Sequence, residues 1–403
     1  MPGSLYIALS GMNAYSKGLS IVSNNVANLN TPAFKLANPL FREIVNRNLQ
    51  NGSAGRFGIG PGGAGVSVDS ASVSFVQGEL RDTGNDLDVA IDGNGFFVLD
   101  QGGELRFTRA GQFEIDSDGL LVDRASGAKV RIFQDGGGFG FFDLDDFRSF
   151  APQPTQEVTV TGTLARSGSG TTAELPGITV FDRSGVSLNL RARLTRDAAD
   201  SQRFQVQVLG NDGMEVGTGE LLFGADGTPT MEASRIRVTL NAGSPTAFDV
   251  MLNFGDPGSF AGVVAPENGA FSQLQVLRQD GVARGTLTRT EFLEAGEIKL
   301  TYSNGETRMG GQLVLAQFDA PEQLRSLGGG TFTAADGIQP KLGRALDDGR
   351  GRIVGGRIET SNVDLTQQFT DLITLQQGYR ACSQISSIAN ELIQALLAID
   401  GRG

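Results

Sequence analysis

Apolar side chains near the start of the chain fall at Leu5, Ala8, Met12, Tyr15, Leu19, Val22, Val26 and Leu29. The steps alternate three and four without a miss, which is the seam of a helix that packs along another helix. A second stripe, Ile7, Ala14 and Ile21, repeats every seven residues, and a helix with two apolar faces needs neighbours on more than one side. The far end of the chain carries a matching pattern at Leu365, Phe369, Leu372, Leu375, Tyr379, Cys382, Ile385, Ile388, Leu392, Leu396 and Ile399, with Ile373, Ile393 and Leu397 off the stripe. Ser4 is placed to cap the first helix and Pro32 to end it. Asn362 or Asp364 would cap the second, and Gly401 follows its last apolar residue. Two such helices at opposite ends predict termini that pair with each other and with further copies of the chain. The bland alternative is an intramolecular coiled coil on a β-rich body.

Between the helices the period drops to two. Leu87, Val89 and Ile91 alternate as a half-buried strand, and Asp92-Gly93-Asn94-Gly95 is a strong turn signal. Phe113 and Ile115, Asp118-Gly119, then Leu120 and Val122 form a second hairpin; Ile298, Leu300 and Tyr302, Asn304-Gly305, then Leu313 and Leu315 form another. From about 151 to 268 the alternation recurs at Val158-Val160, Ile178-Val180, Leu188-Leu194, Phe204-Val208, Leu221-Phe223, Ile236-Leu240 and Val250-Phe254. Many short strands at this spacing predict a sandwich or barrel. The stretch 51–65 is rich in glycine and serine and reads as a linker; Gly58, Gly60, Gly62 and Gly63 lack the spacing and the following Lys-Ser/Thr of a phosphate loop.

If the first and last helices pair, everything between them must go out and come back. The predicted fold is therefore multidomain and mainly β, with nested domains and N- and C-terminal α-helices pairing in an axial, coiled-coil-like layer. The expected divisions are an axial helical domain (1–34 with 359–403), a connecting segment (35–75 with 328–358), an inner β domain (76–150 with 269–327) and an inserted outer β domain (151–268).

Composition removes several function classes. A net charge of −12 and a pI of about 4.7 argue against nucleic acid or an anionic membrane as partner. Histidine is absent, which removes the usual general base and the commonest metal ligand. The single Cys382 excludes an intramolecular disulfide framework and reads as a small buried hydrophobe. Asp116, Asp118 and Asp123 miss the spacing of a calcium loop and read as turn residues. Acidic pairs such as Asp145-Asp146 or Asp347-Asp348 could in principle do glycosidase chemistry, but neighbours on a strand point to opposite faces, and the second pair reads as a turn. No catalytic residue, metal site or cofactor is expected. No apolar run reaches membrane-spanning length, and the first thirty residues lack the basic and apolar regions of a Sec-type signal. An adhesin would need such a signal or an anchor.

Certain segments carry a family resemblance. Asn24-Asn25-Val26-Ala27-Asn28-Leu29-Asn30-Thr31-Pro32-Ala33-Phe34-Lys35 resembles the N-terminal signature of bacterial flagellar rod and hook proteins. Ala33 stands where that family usually has glycine, so the backbone there is expected to avoid positive φ. Leu87–Val98, Phe107–Phe113, Phe181–Gly185, Tyr302–Arg308 and Leu315–Phe318 are similar to the same family in consistent order. Gly356–Leu365, with Ser361, Asn362, Val363, Asp364 and Leu365, matches its C-terminal signature. The large insert favours the hook branch, with a distal rod or other axial protein as the alternative. The resemblance implies a helical homopolymer forming a hollow, flexible joint in the flagellum. It also implies export through the type III apparatus without a cleaved signal, and rod protein, hook cap and hook–filament junction protein as partners. The helix faces off the seams are mostly serine, asparagine, glutamine and threonine, which suits a channel lining. Gly11, Gly18 and four asparagines give the first helix low propensity, so the terminal helices are expected to order on assembly.

Overall fold

The computed structural model describes residues 2–44, 65–134, 136–167, 171–240, 247–269 and 271–400, with side chains described from residue 4 to 395. All of the glycine-rich stretch except Gly65, and the expected cap Gly401, lie outside the described residues. The chain divides into two compact units. One comprises Met1–Asp145, Thr290–Lys299 and Met309–Gly403; the other comprises Asp146–Arg289 and Leu300–Arg308.

In the first unit, helix α1 runs Pro2–Ala27 and helix α2 runs Leu365–Asp400. α1 begins two residues before the expected cap Ser4, because proline is tolerated in a first turn, where its missing N–H has no intrahelical partner anyway. It ends five residues before Pro32, in turns closed by the Asn24 and Asn25 carbonyls. At α2 the cap is Asp364, whose Oδ1 accepts from the N–H groups of Thr366 (2.8 Å) and Gln367 (3.2 Å). Asn362 is engaged elsewhere, as described below.

Two antiparallel strands, β1 (Ala37–Glu43) and β2 (Val66–Val73), follow α1. The strands β3 (Leu80–Asp82) and β4 (Val89–Asp92) then pair antiparallel with Arg357–Glu359 and Arg352–Gly355, tying the start of the β body to the segment that enters α2. β4 is buried on both faces, not half-buried as its alternation predicts: Val89, Ala90 and Ile91 are all fully buried. The hairpin β5 (Phe96–Gln101) to β6 (Glu104–Thr108) contributes Phe96, Val98 and Phe107 to a core shared with Val314, Ala316, Phe318 and Phe332. Edge-to-face ring contacts run through it, with Phe107 and Phe318 centroids 4.9 Å apart. The Phe113–Ile115 and Leu121–Asp123 strands form the predicted hairpin, and Asp116 closes its turn by accepting from Asp118 and Leu120 N–H groups. That is the turn role expected for an aspartate at this position.

The second unit is a two-sheet body around one core. Thr172–Phe181, Ser187–Arg196, Arg203–Leu209 and Glu215–Leu222 form an antiparallel meander. The other sheet is built on Glu157–Thr163, which pairs with Phe248–Asn253, Val263–Val264 and Gln273–Gln279; Arg235–Leu240 pairs with Phe248–Asn253. The alternating residues singled out from the sequence supply the core, among them Val158, Ile178, Leu194, Val206, Leu221, Val238 and Leu252, all fully buried. Pro266 sits in a turn within this unit, and Gln273–Gln279 beyond it still pairs with Glu157–Thr163.

Candidate functional site

The two chain ends meet in the first unit. The face of α1 turned inward is Ala8, Gly11, Ala14, Gly18, Val22 and Asn25, all buried. These buried positions share only Ala8 and Val22 with the apolar seam read from the sequence, and Ala14 comes from its second stripe; Tyr15 and Leu29 of the seam are half-buried. Leu5, Met12, Leu19 and Val26 flank the seam half-buried. The reason is close approach. A Cβ on Gly11 would lie 2.7 Å from Cys382 Sγ, one on Gly378 2.5 Å from the Tyr15 ring, and one on Gly18 3.2 Å from Leu375. Glycine therefore sets the helix separation here. The repeat of small residues at 11 and 18, seven apart, is the signal that counting apolar side chains passes over.

On α2, Leu375 and Ala389 are buried, while Leu372, Cys382 and Ile393 are half-buried. Leu365, Phe369, Ile373, Tyr379, Ile385, Ile388 and Leu392 are exposed, and on α1 so are Tyr6, Ile7 and Leu9. Leu396 and Ile399 lie where side chains are outside the described residues. The bulky apolar residues of both helices thus face largely outward from the single chain.

Beside the seam, the two signature segments are joined by buried polar groups. Asn25, fully buried on α1, donates to the Ala37 carbonyl (2.8 Å) and to Gln368 Oε1 on α2 (2.8 Å), and its own oxygen accepts from the Ala37 N–H (3.1 Å). A buried, satisfied amide of this kind fixes helix register. Asn24, Asn28 and Thr31 bond among themselves and shape the turn after the helix. Asn362 accepts from the Leu36 N–H (2.7 Å) and donates to the Ser74 and Val76 carbonyls (2.9 and 2.8 Å). Phe34 is half-buried, and its carbonyl accepts from the Asn362 N–H at 3.4 Å. Val363 is buried, Ser361 is half-buried with its Oγ accepting from the Val363 N–H, and Asn30 is exposed.

The centre of the junction is Lys35 Nζ, which donates to Glu359 Oε1 (2.5 Å) and to the Val76 carbonyl (2.9 Å). Glu359 Oε1 also accepts from the Gly78 N–H (2.8 Å), and Arg109 Nη1 stands 3.6 Å from Glu359 Oε2. All three charged side chains are almost wholly buried. Burial pulls the Lys35 pKa below its ordinary value; Glu359 opposes the shift, and Arg109 adds to it. All three residues lie in segments that carry the family resemblance, but the sequence does not pair them: Glu359 is 324 positions from Lys35 and 250 from Arg109, beyond any local pattern. Gly78 and Gly111 are required by the same crowding: a Cβ on either would meet the carbonyl oxygen of Thr360 or Val89.

Ala33 overturns one expectation. Its φ is +55°, in the left-handed region that an alanine at a glycine position was expected to avoid. The residue is fully buried and its N–H donates to the Glu359 carbonyl at 2.8 Å, so tertiary contacts hold a conformation costing about 1–2 kcal/mol for an L side chain.

Among the described residues there is no group of three or more His, Cys, Asp or Glu side chains that would hold a metal ion. No helix among them is long and apolar enough to cross a membrane. Asp347 and Asp348 lie in a turn closed by the Arg350 N–H on the Asp347 carbonyl (2.9 Å). The fold and this junction make a β-rich body whose two terminal helices pack together and show apolar faces.

Three family descriptions match in chain order. They are the flagella basal body rod protein over residues 5–35, the flagellar hook protein FlgE/F/G D1 domain over 90–161, and the flagellar basal body rod FlgEFG protein C-terminal region over 354–399. Flagellar hook protein FlgE of Treponema pallidum is 29% identical, with 99% of this chain and all of the relative aligned. FlgE of Borreliella burgdorferi is 28% identical over 99% of this chain, and FlgE of Escherichia coli K12 is 27% identical over 97%. A crystal structure of Helicobacter pylori flagellar hook protein FlgE2 aligns to 70% of the chain at 13% identity, with a TM-score of 0.49. The chain belongs to the flagellar rod and hook protein family.

Proposed function

We propose that this chain is the structural subunit of the bacterial flagellar hook. It polymerises with itself into a hollow, curved tube, the flexible joint that passes torque from rod to filament. One observation carries the assembly step. The helices at the two chain ends keep Phe369, Ile373, Ile385, Ile388 and Leu392 about half exposed or more, and add Tyr6, Ile7 and Leu9 on α1. Monomeric proteins rarely leave a contiguous apolar face of this kind uncovered. A copy placed along the axis covers it, and a heterologous contact that does not close on itself yields a helical filament.

In this reading α1 and α2 form the axial, coiled-coil-like layer and order fully on assembly. Their serine-, asparagine- and glutamine-rich faces line the channel. Residues 35–75 with 328–358 connect, 76–150 with 269–327 form the inner β domain, and the insert 151–268 is the layer that slides as the tube bends. Rod protein, hook cap, hook–filament junction protein and the type III export apparatus are its further partners, and export leaves the chain uncleaved. A distal rod role is the less favoured reading, because relatives named as hook proteins align over nearly the whole chain, insert included.

The test compares the full chain with a version lacking residues 1–30 and 364–403, by circular dichroism and negative-stain microscopy under polymerising conditions. The full chain is expected to gain helix as tubes form while the shortened one stays monomeric. Tubes from both, or from neither, refute assembly through the terminal helices.

A further inference from the structure

The charge in the buried junction does not balance. Lys35 and Arg109 bring two cations, and among the described residues Glu359 is the anion that pairs with both. Lys35 is satisfied by short bonds, but Arg109 is not: its Nε and Nη1 are buried without a hydrogen-bond partner, and the 3.6 Å approach to Glu359 Oε2 leaves that oxygen unbonded too. The Arg109 side chain is 4% exposed, and its guanidinium lies 5.4 Å from the centroid of the Phe96 ring. A buried guanidinium with open donors is costly unless an acceptor completes it.

Arg109 lines a cavity of about 230 Å³. Phe75, Phe96, Phe318 and Pro321 give it apolar walls, and Asn94 and Gln317 add amides. Such a composition, apolar walls with a few polar groups and one charge, is that of a small-ligand pocket. The apolar lining selects against strongly hydrated, multiply charged anions. It suits a single planar carboxylate on a short apolar stem, which a guanidinium recognises through paired N–H donors.

We propose that this pocket binds a monocarboxylate, with Arg109 as its counter-ion and the phenylalanine cluster holding the apolar stem. The same carboxylate chemistry comes from two sources, a free organic acid or an acidic side chain of a second copy, and a chain with 45 acidic residues against 33 basic ones offers many such side chains.

The experiment uses the full chain as monomer, with benzoate as probe and benzyl alcohol as its neutral counterpart. Binding is followed by NMR of the phenylalanine rings and the arginine side-chain N–H groups. Benzoate is expected to shift Phe96, Phe318 and Arg109 signals saturably, at least about ten-fold more tightly than benzyl alcohol, the worth of one charge-assisted pair. Arg109→Gln should abolish the difference. Because that variant disturbs the junction, Gln317→Glu serves as the second: it places a carboxylate in the pocket, and is expected to raise the melting temperature and exclude benzoate, whereas Gln317→Met does neither. Equal binding of benzoate and benzyl alcohol, or benzoate binding unchanged in Gln317→Glu, overturns the proposal. A further arm, which rests on the assembly reading, separates the sources. If a neighbour's carboxylate fills the pocket, benzoate raises the critical concentration for polymerisation and the polymer takes up none. If the ligand is a free acid, polymer and monomer bind benzoate alike.

Discussion

Replacing Gly11 with alanine tests the helix separation directly, because two opposing effects of known size act at that one atom. In an isolated helix the change is favourable by about 1 kcal/mol, the difference in helix propensity between glycine and alanine. In this chain the new methyl would stand 2.7 Å from Cys382 Sγ, roughly 1 Å inside an ordinary carbon contact. Cys382 sits on a helix, where one of the three side-chain rotamers is nearly closed to it, so the sulfur has little room to turn away. Overpacking of this kind costs about 1–3 kcal/mol. The clash should win, leaving Gly11→Ala about 1 kcal/mol less stable in the paired state. In a Cys382→Ala background the obstructing atom is gone and only the propensity gain remains, so the same substitution should stabilise by about 1 kcal/mol. The cycle therefore predicts a coupling of about 2 kcal/mol between residues 371 positions apart.

The readout is the critical concentration for polymerisation, with the thermal loss of helical circular dichroism in the polymer as a second measure. A 1 kcal/mol loss raises the critical concentration about five-fold. Gly378→Ala, facing the Tyr15 ring at 2.5 Å, should behave like Gly11→Ala, and Gly18→Ala, with 3.2 Å to Leu375, should cost less than either. Additivity of Gly11→Ala and Cys382→Ala within about 0.5 kcal/mol would refute the close packing. So would a more stable Gly11→Ala single variant.

Three other perturbations report on separate parts of the molecule. Glu359→Gln leaves Lys35 and Arg109 buried without an anion and should cost about 3–5 kcal/mol in urea unfolding of the first unit, far more than loss of an exposed pair such as Arg193 with Glu174. Ala33→Gly removes the left-handed strain but also loses a buried methyl and adds chain entropy; those terms nearly cancel, so its stability should stay within about 0.5 kcal/mol, whereas Ala33→Val should cost more than about 2 kcal/mol. In the second unit, the Ser184 hydroxyl, with the Ser184 and Val186 N–H groups, holds the Asp182 carboxyl below its ordinary value of 3.8. The folded pKa lies below the unfolded one, so the stability this group contributes is complete above about pH 4 and is lost as pH falls through the folded value. Thermal melts between pH 2 and 5 should show Asp182→Asn losing that part of the acid sensitivity; an unchanged profile would remove Asp182 from the account.

Period and position made the two-sheet unit legible from the chain alone. Val158, Ile178, Leu194, Val206 and Val238 alternate with polar residues because each strand has one face in the core, and strict alternation is what that geometry writes into sequence. The terminal helices were legible as helices for the same reason. Their inward face was not, because glycine has no side chain to count, and Gly11 and Gly18 act by absence. β4 misled in the opposite sense: Val89, Ala90 and Ile91 are all fully buried, and a strand covered on both faces loses its alternation. The junction of Lys35, Arg109 and Glu359 is invisible to any local rule, since nothing near Lys35 in the chain announces a partner near the far end. Ala33 shows the limit of conformational preference: the penalty of a left-handed alanine is small beside the burial and hydrogen bonding that impose it.

The division of labour between the two faces of the helices explains why the chain should complete itself only in company. The inward seam is built from Ala8, Gly11, Ala14, Gly18 and Val22, with Leu375 of α2 against Gly18; the two alanine methyls contribute about 0.8 kcal/mol each, and Val22 and Leu375 about 2 kcal/mol each. Register comes from the Asn25–Gln368 bond, and hydrogen bonds of this sort add only about 1 kcal/mol net. These gains are modest against the cost of ordering a 36-residue helix that begins in the unfolded ensemble. Most of the larger side chains point the other way. Phe369, Ile385, Ile388 and Leu392 are about half exposed, so covering each would add about 1 kcal/mol, and a neighbouring copy can cover all four at once. Small residues inside set the geometry of the pair, and bulky residues outside hold the energy that a second copy releases. On the proposed assembly, helix order and polymerisation form one equilibrium, with the Lys35–Glu359 junction anchoring both terminal segments to the β body.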